Sequence, residues 1–271
     1  MSYFIGVDIG STSIKAVMMD VDLNIISFKT APTGCHFHEN TEKTLSGMLR
    51  DTGVERDKIR FITATGYGRK LFKNADETVT EITANAVGAK RMSDGMGEIN
   101  TIINIGGQDA KIIVLDEDGG VKNFVMNDKC AAGTGRFLEV VARNLEIDVS
   151  ELGDYHMESK GAPISINSTC TVFAESEIIS LLANGHPKED IIAGLHYAIA
   201  KRIVRLAKSG GLTGGVFFDG GPAMNKGLVT ALEDELMRDI VIPDTPQITT
   251  ACGAAILAKE ANVSIGVSAN G

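Results

Sequence analysis

The 271-residue sequence is short of several things, and each shortage narrows what the chain does. It has no cluster of lysine and arginine: 26 basic side chains are spread along the chain against 35 acidic ones, for a formal net charge of −9. Nucleic acid and anionic membrane surfaces are therefore not expected partners. No stretch approaches the length of uninterrupted apolar residues that a transmembrane helix needs. The first residues, MSYFIGVDIG, lack the basic and long apolar regions of a secretory signal and read as a strand. Cysteine is scarce: Cys35, Cys130, Cys170 and Cys252, with no export signal beside them. That argues against a disulfide framework and for a cytoplasmic location.

What is present is a 44% hydrophobic composition, enough for one large domain or two lobes. Two segments stand out, NDKCAAGTGRFLE (Asn127–Glu139) and STCTVFAESEIIS (Ser168–Ser180). Each sets one cysteine just before a run with helical spacing: Phe137, Val140, Val141 and Leu145 after Cys130; Val172, Phe173, Ile178, Ile179 and Leu182 after Cys170. The positive end of a helix favours a thiolate or an anionic cluster bound to it. Both cysteines lie among small polar neighbours, which suits exposure more than burial as small hydrophobes. Two cysteines are half of the four thiolates that an iron–sulfur cluster takes, which suggests a site shared by two subunits. A structural zinc would use the same four thiolates.

The organising feature is an internal repeat at an offset of 96 residues. Phe4–Val21 (FIGVDIGSTSIKAVMMDV) is echoed by Ile102–Glu117 (IINIGGQDAKIIVLDE). Asp8 matches Asn104, Gly10 matches Gly106, Lys15 matches Lys111 and Asp20 matches Asp116. In each copy a strand meets a glycine turn and a second strand follows. Ser11, Thr12 and Ser13 line the first turn, and Gly107, Gln108 and Asp109 the second. Glycine lets backbone N–H groups approach an anion, and hydroxyls add donors, so two such hairpins would grip a polyphosphate. One copy alone is equally consistent with glycines that serve only the turn. A third Gly-rich segment, Val216–Asn225 (VFFDGGPAMN), whose Gly-Gly turn admits a flat ligand such as a nucleobase or ribose, completes a nucleotide site in chain order.

These segments, in this order, resemble the actin/hexokinase/Hsp70 superfamily of ATP-binding proteins. Together with the two cysteine motifs they resemble the BadF/BadG/BcrA/BcrD-type ATPases, and among these the activators of 2-hydroxyacyl-CoA dehydratases. The resemblance runs from about Phe4 to about Lys259 and is carried by DIGSTSIK, ATGYGR (Ala64–Arg69), IGGQD, both cysteine segments and GAAILA. It implies an α/β fold of two ribonuclease-H-like lobes with an ATP cleft between them. The first lobe spans 1–95, with a C-terminal helix of about 250–261 returning to it, and the second spans 96–249. It also implies one [4Fe–4S] cluster per homodimer on Cys130 and Cys170, with ATP and Mg²⁺ as further cofactors. One electron would pass from a ferredoxin or flavodoxin to an iron–sulfur partner: a 2-hydroxyacyl-CoA dehydratase, a benzoyl-CoA-type reductase or a double-cubane cluster protein. A small-molecule kinase of the same superfamily is the alternative.

Within that frame Asp8 organises Mg²⁺ through water, unless it only caps its own turn. Ser11, Thr12 and Lys15 contact phosphates, and Gln108 orients a hydrolytic water, an amide being both donor and acceptor. Asp109 assists with the metal or fixes the turn, and Gln247 lies near the nucleotide. The resemblance also implies Gly220, Gly221 and Asn225 beside the nucleoside. Cys35 and Cys252 read as structural, and ATGYGR has no assigned role. The sequence departs from the family pattern twice. Asn104 stands where the second phosphate motif commonly has Asp, and DGGPA stands where TGGVA is commoner. Loss of the first carboxylate leads to the expectation that Asn104→Asp speeds ATP hydrolysis.

Overall fold

The computed structural model describes residues 1–166 and 171–268. In chain order the elements are β1 (Tyr3–Ile9), β2 (Ser13–Met19), β3 (Ile25–Pro32), α1 (Phe37–Thr52), β4 (Ile59–Thr65), β5 (Glu77–Thr78) and α2 (Glu81–Met92). There follow β6 (Thr101–Ile105), β7 (Ala110–Leu115), β8 (Val121–Asn127), α3 (Gly135–Asn144), α4 (Leu152–Glu158), α5 (Thr171–Ala183) and α6 (Lys188–Gly210). The chain ends with β9 (Val216–Asp219), α7 (Lys226–Leu236), β10 (Ile240–Val241) and α8 (Thr249–Ser268). None of the described helices is long and apolar enough to cross a membrane.

The chain forms two compact units. One comprises Met1–Met96, Asp116–Val121 and Gln247–Gly271, the other Gly97–Leu115 and Lys122–Pro246. Each contains a five-stranded sheet of the same order, β3-β2-β1-β4-β5 and β8-β7-β6-β9-β10. In the first unit β1 runs antiparallel to β2 and parallel to β4. In the second, β6 runs antiparallel to β7 and parallel to β9. The repeat seen in the sequence is thus one topology built twice. The central strands are mostly apolar and buried, all of β6 and all of β1 but half-buried Tyr3, because both faces of their sheets are covered. The edge strands β3 and β8 keep half or more of their residues exposed.

In the first unit Ile5, Val7, Ile9, Ile14, Met18 and Ile62 pack with Leu45 and Met48 of α1 on one face of the sheet. On the other face Val17 and Met19 meet Ala251, Cys252, Ala255 and Ile256 of α8. The small-residue run of α8 permits a very close approach. A Cβ on Gly6 would lie 2.1 Å from the Ala251 carbonyl oxygen, and one on Gly88 of α2 would lie 2.0 Å from that of Thr249. The second unit buries α3, α6 and α7 against Ile103, Ile105, Ile112 and Phe218 of its sheet. Helix ends follow local chemistry: Thr80 caps α2 by accepting from the Thr83 N–H, and Gly211, at φ 91°, ends the 23-residue α6.

Candidate nucleotide turns and cysteine loop

The two glycine turns close in the same way. The Gly10 N–H donates to the Ser13 carbonyl at 3.1 Å, and the Gly106 N–H to the Asp109 carbonyl at 2.9 Å. In the first turn Thr33 holds the backbone, its hydroxyl donating to the Gly10 carbonyl at 2.7 Å. Asp8, at the end of β1, is buried; its Oδ2 takes Lys15 Nζ at 3.3 Å, while its Oδ1 is buried with no hydrogen-bond partner among the described residues. Space for that oxygen exists because residue 66 is glycine: a Cβ there would lie 2.4 Å from Asp8 Oδ1. Thr12 is exposed beside half-buried Gly10, Ser11 and Ser13.

In the second turn Gln108 is exposed and Gly106 and Gly107 are half-buried. Lys111 is buried and its Nζ reaches Asp109 Oδ1 at 2.7 Å, so Asp109 fixes the base of the turn. Asn104, also buried, donates through Nδ2 to Asp219 Oδ1 at 2.7 Å. This pair revises the expectation for position 104. A carboxylate already stands beside it on the neighbouring strand, and Asn104→Asp would set two carboxylates in contact.

Gly220, at φ 93°, opens the third Gly-rich segment; a Cβ there would lie 2.1 Å from the Ile105 carbonyl oxygen, whereas one on Gly221 meets nothing within 4 Å. Asn225 is committed within its own unit. Its Oδ1 accepts from the Leu228 N–H at 3.1 Å, capping α7, and its Nδ2 lies 3.0 Å from His196 Nε2. Sequence reasoning missed what lies behind it: His196 Nδ1 is 2.9 Å from His156 Nδ1, with the two rings stacked. Burial, with His156 beside it, pushes His196 down to about 3, and burial also lowers His156. Burial thus favours the neutral form of both imidazoles. Gln247 lies in the first unit, its Oε1 buried and without a partner among the described residues.

Cys130 occupies the loop between β8 and α3. Asn127 Nδ2 donates to the Cys130 carbonyl at 3.0 Å, and Thr134 donates through its hydroxyl to the Ala131 carbonyl at 2.7 Å. Arg202 of α6 reaches the same loop, its Nη1 3.2 Å from the Ala132 carbonyl oxygen and 3.9 Å from Cys130 Sγ. Cys130 does not stand at the N-terminus of α3, as its place in the sequence suggests. α3 begins at Gly135, five residues after Cys130, and its first two N–H groups are already taken. Gly135 donates to the Gly106 carbonyl at 2.9 Å and Arg136 to the Gly107 carbonyl at 2.8 Å. The cation beside Cys130 is Arg202, a residue the sequence did not single out. Cys170 lies outside the described residues. Among the described residues no three His, Cys, Asp or Glu side chains come together as a metal site. Cys35 is exposed, and Cys252 is buried with its thiol pushed up to about 12.

Known proteins share this architecture. The chain is 44% identical over 256 residues, 94% of each protein, to the 2-hydroxyisocaproyl-CoA dehydratase activator of Clostridioides difficile. It is 40% identical over 257 residues, 94% of this chain and 96% of the relative, to the (R)-2-hydroxyglutaryl-CoA dehydratase activating ATPase of Acidaminococcus fermentans. A solved structure of the activator of the 2-hydroxyisocaproyl-CoA dehydratase from Clostridium difficile with bound ADPNP matches with a TM-score of 0.92 and 43% identity, over 98% of this chain and 97% of that one. The fold is the actin-like ATPase fold that the family resemblance implies. The model of the BadF/BadG/BcrA/BcrD ATPase family matches residues 5–258, and the chain belongs to that family.

Proposed function

We propose that this ATPase is the activator of a 2-hydroxyacyl-CoA dehydratase or a related iron–sulfur enzyme, to which it delivers single electrons at the expense of ATP. The relatives named as dehydratase activators support the partner class and set aside the kinase alternative. The observation inside the molecule that carries the reading is the pair of hydrogen bonds from α3 to the Gly106–Gly107 turn. They join the turn that would face a terminal phosphate to the helix that follows the Cys130 loop. A shift of that turn with nucleotide state would move the start of α3, and with it the loop.

The residues fit the groups this function requires. The orphaned Asp8 Oδ1, held in place by Lys15, suits a hydrated Mg²⁺ accompanying ATP. Exposed Gln108 is free to orient water, and the Gly10–Ser13 turn offers hydroxyls to phosphate. Cys130 is partly exposed, and the carbonyls of its loop are held by Asn127 and Arg202, which steadies the backbone beside the sulfur. The guanidinium beside Sγ complements an anionic thiolate. With Cys170, and the same two cysteines of a second copy, it would hold a [4Fe–4S] cluster, which supplies one-electron chemistry at low potential when bound. A homodimer taking electrons from a ferredoxin or flavodoxin follows from this reading.

Anaerobic purification with iron and sulfide analysis tests it. About four irons and four sulfides per dimer are expected, lost in Cys130→Ala and in Cys170→Ala. A colourless, iron-free protein that still hydrolyses ATP would contradict the electron-transfer reading and leave the ATPase intact.

A further inference from the structure

The two units place their acids differently. At the end of β1, Asp8 pairs in the parallel direction with Thr65 of β4 and in the antiparallel direction with Lys15 of β2. At the corresponding place in the second unit, Asn104 of β6 pairs in parallel with Asp219 of β9 and antiparallel with Lys111 of β7. Thr65 is followed by Gly66 at φ 86°, and Asp219 by Gly220 at φ 93°. Each unit therefore sets one acid and one neutral hydrogen-bonding residue side by side, ahead of a left-handed glycine, with a lysine on the next strand. In the first unit the acid is on the leading strand; in the second it is on the parallel neighbour. The same repeat gives ATGYGR a place: its Ala64-Thr65-Gly66 is the first unit's counterpart of Phe218-Asp219-Gly220.

Asp219 is 0% exposed and Asn104 6%, and a buried charge weakens a fold unless it is well paired. The strand pairing itself needs no charge. In the first unit Thr65 occupies the equivalent position as a neutral residue, its hydroxyl donating to the Val79 carbonyl. The Asn104 amide, donating to Asp219 Oδ1, orients a carboxylate that stands at the roots of both Gly106–Asp109 and Gly220–Gly221.

We propose that Asp219 is the site carboxylate of the second unit, supplied from β9 in place of the acid that β6 lacks at Asn104. Its charge positions the groups of the two Gly turns for hydrolysis of the bound nucleotide. The inference rests on the ATP-site reading above and predicts that the acid can be moved back across the pair.

The test compares Asp219→Asn, Asn104→Asp and the double exchange Asn104→Asp/Asp219→Asn, following phosphate release with ATP and thermal melting of the nucleotide-free protein. Asp219→Asn keeps an acceptor for Asn104, so its Tm should move by only about 2 °C while hydrolysis falls about a hundredfold. Asn104→Asp alone should lower both the Tm and the rate, because two carboxylates then share one buried contact. The exchange should recover the wild-type Tm and bring the rate to within about tenfold of wild type. Wild-type hydrolysis by Asp219→Asn overturns the proposal. So does an exchange that recovers the Tm but hydrolyses no faster than Asp219→Asn, even if Asp219→Asn itself folds poorly. A wild-type protein that neither binds Mg-ADPNP in calorimetry nor hydrolyses ATP overturns the nucleotide reading, and this inference with it.

Discussion

Single residues in this chain are informative where their partners are missing or unexpected. Asp8 is buried with one oxygen paired to Lys15 and the other unpaired, an arrangement that costs stability unless something else supplies a donor or a cation. Asp8→Asn should therefore lower the rate of phosphate release about a hundredfold with little change in melting temperature, and an unchanged rate would make Asp8 a turn residue. The His156–His196 pair predicts a pH dependence of folding. Burial lowers both groups below the ordinary histidine value of 6.5 in the folded chain, His196 to about 3. Groups so depressed contribute stability that is fully present above pH 6.5 and is lost as the pH falls toward the folded values, because protons bind the unfolded chain first. The melting temperature should fall between pH 7 and pH 5, and less steeply in His196→Gln. Asp234, hydrogen-bonded by Tyr197, opposes the shift only at His156. A flat profile for the wild type would rule out the pair as the cause.

At the scale of elements, most of the molecule was legible because period and punctuation agreed. The repeat implies the hairpins β1–β2 and β6–β7, and the apolar spacing after Cys130 and Cys170 implies α3 and α5. α4 was not seen: seven residues, LGDYHME, follow a capping box at Asp148 and Glu151 and are too few to display a helical period. β5 and β10 were missed because two-residue strands are defined by their partners, β4 and β9, and not by any local pattern. In the site, the glycine turns could be read from the repeat, but contacts made across the fold could not. Arg202 lies 72 residues from Cys130, and Asp219 lies 115 residues from Asn104. Both departures from the family pattern were visible separately; their contact appears only when β6 and β9 are paired. The close packing of α8 makes a further prediction. Gly88→Ala should destabilise the chain by about 2–3 kcal/mol in urea, although alanine favours a helix by about 1 kcal/mol, because its Cβ would meet the Thr249 carbonyl. A higher urea midpoint would show that α2 and α8 can separate at no cost.

Over the whole molecule, one topology is used twice and loaded differently. The first unit carries the acid on its leading strand and receives α8; the second carries the acid on β9 and inserts α3 to α6 between β8 and β9. That insertion brings the cysteine loop onto a unit that already contains the Gly106–Asp109 turn, and the Gly135 and Arg136 N–H groups tie the two together. The central claim is that nucleotide state reaches the Cys130 loop through those two bonds. Amide hydrogen exchange across residues 128–137, compared with Mg-ADP and Mg-ADPNP bound, tests it most directly. A change in protection at Gly135 and Arg136 that extends to the Cys130 loop is predicted; identical exchange in both states, with each nucleotide shown to be bound, would contradict the coupling.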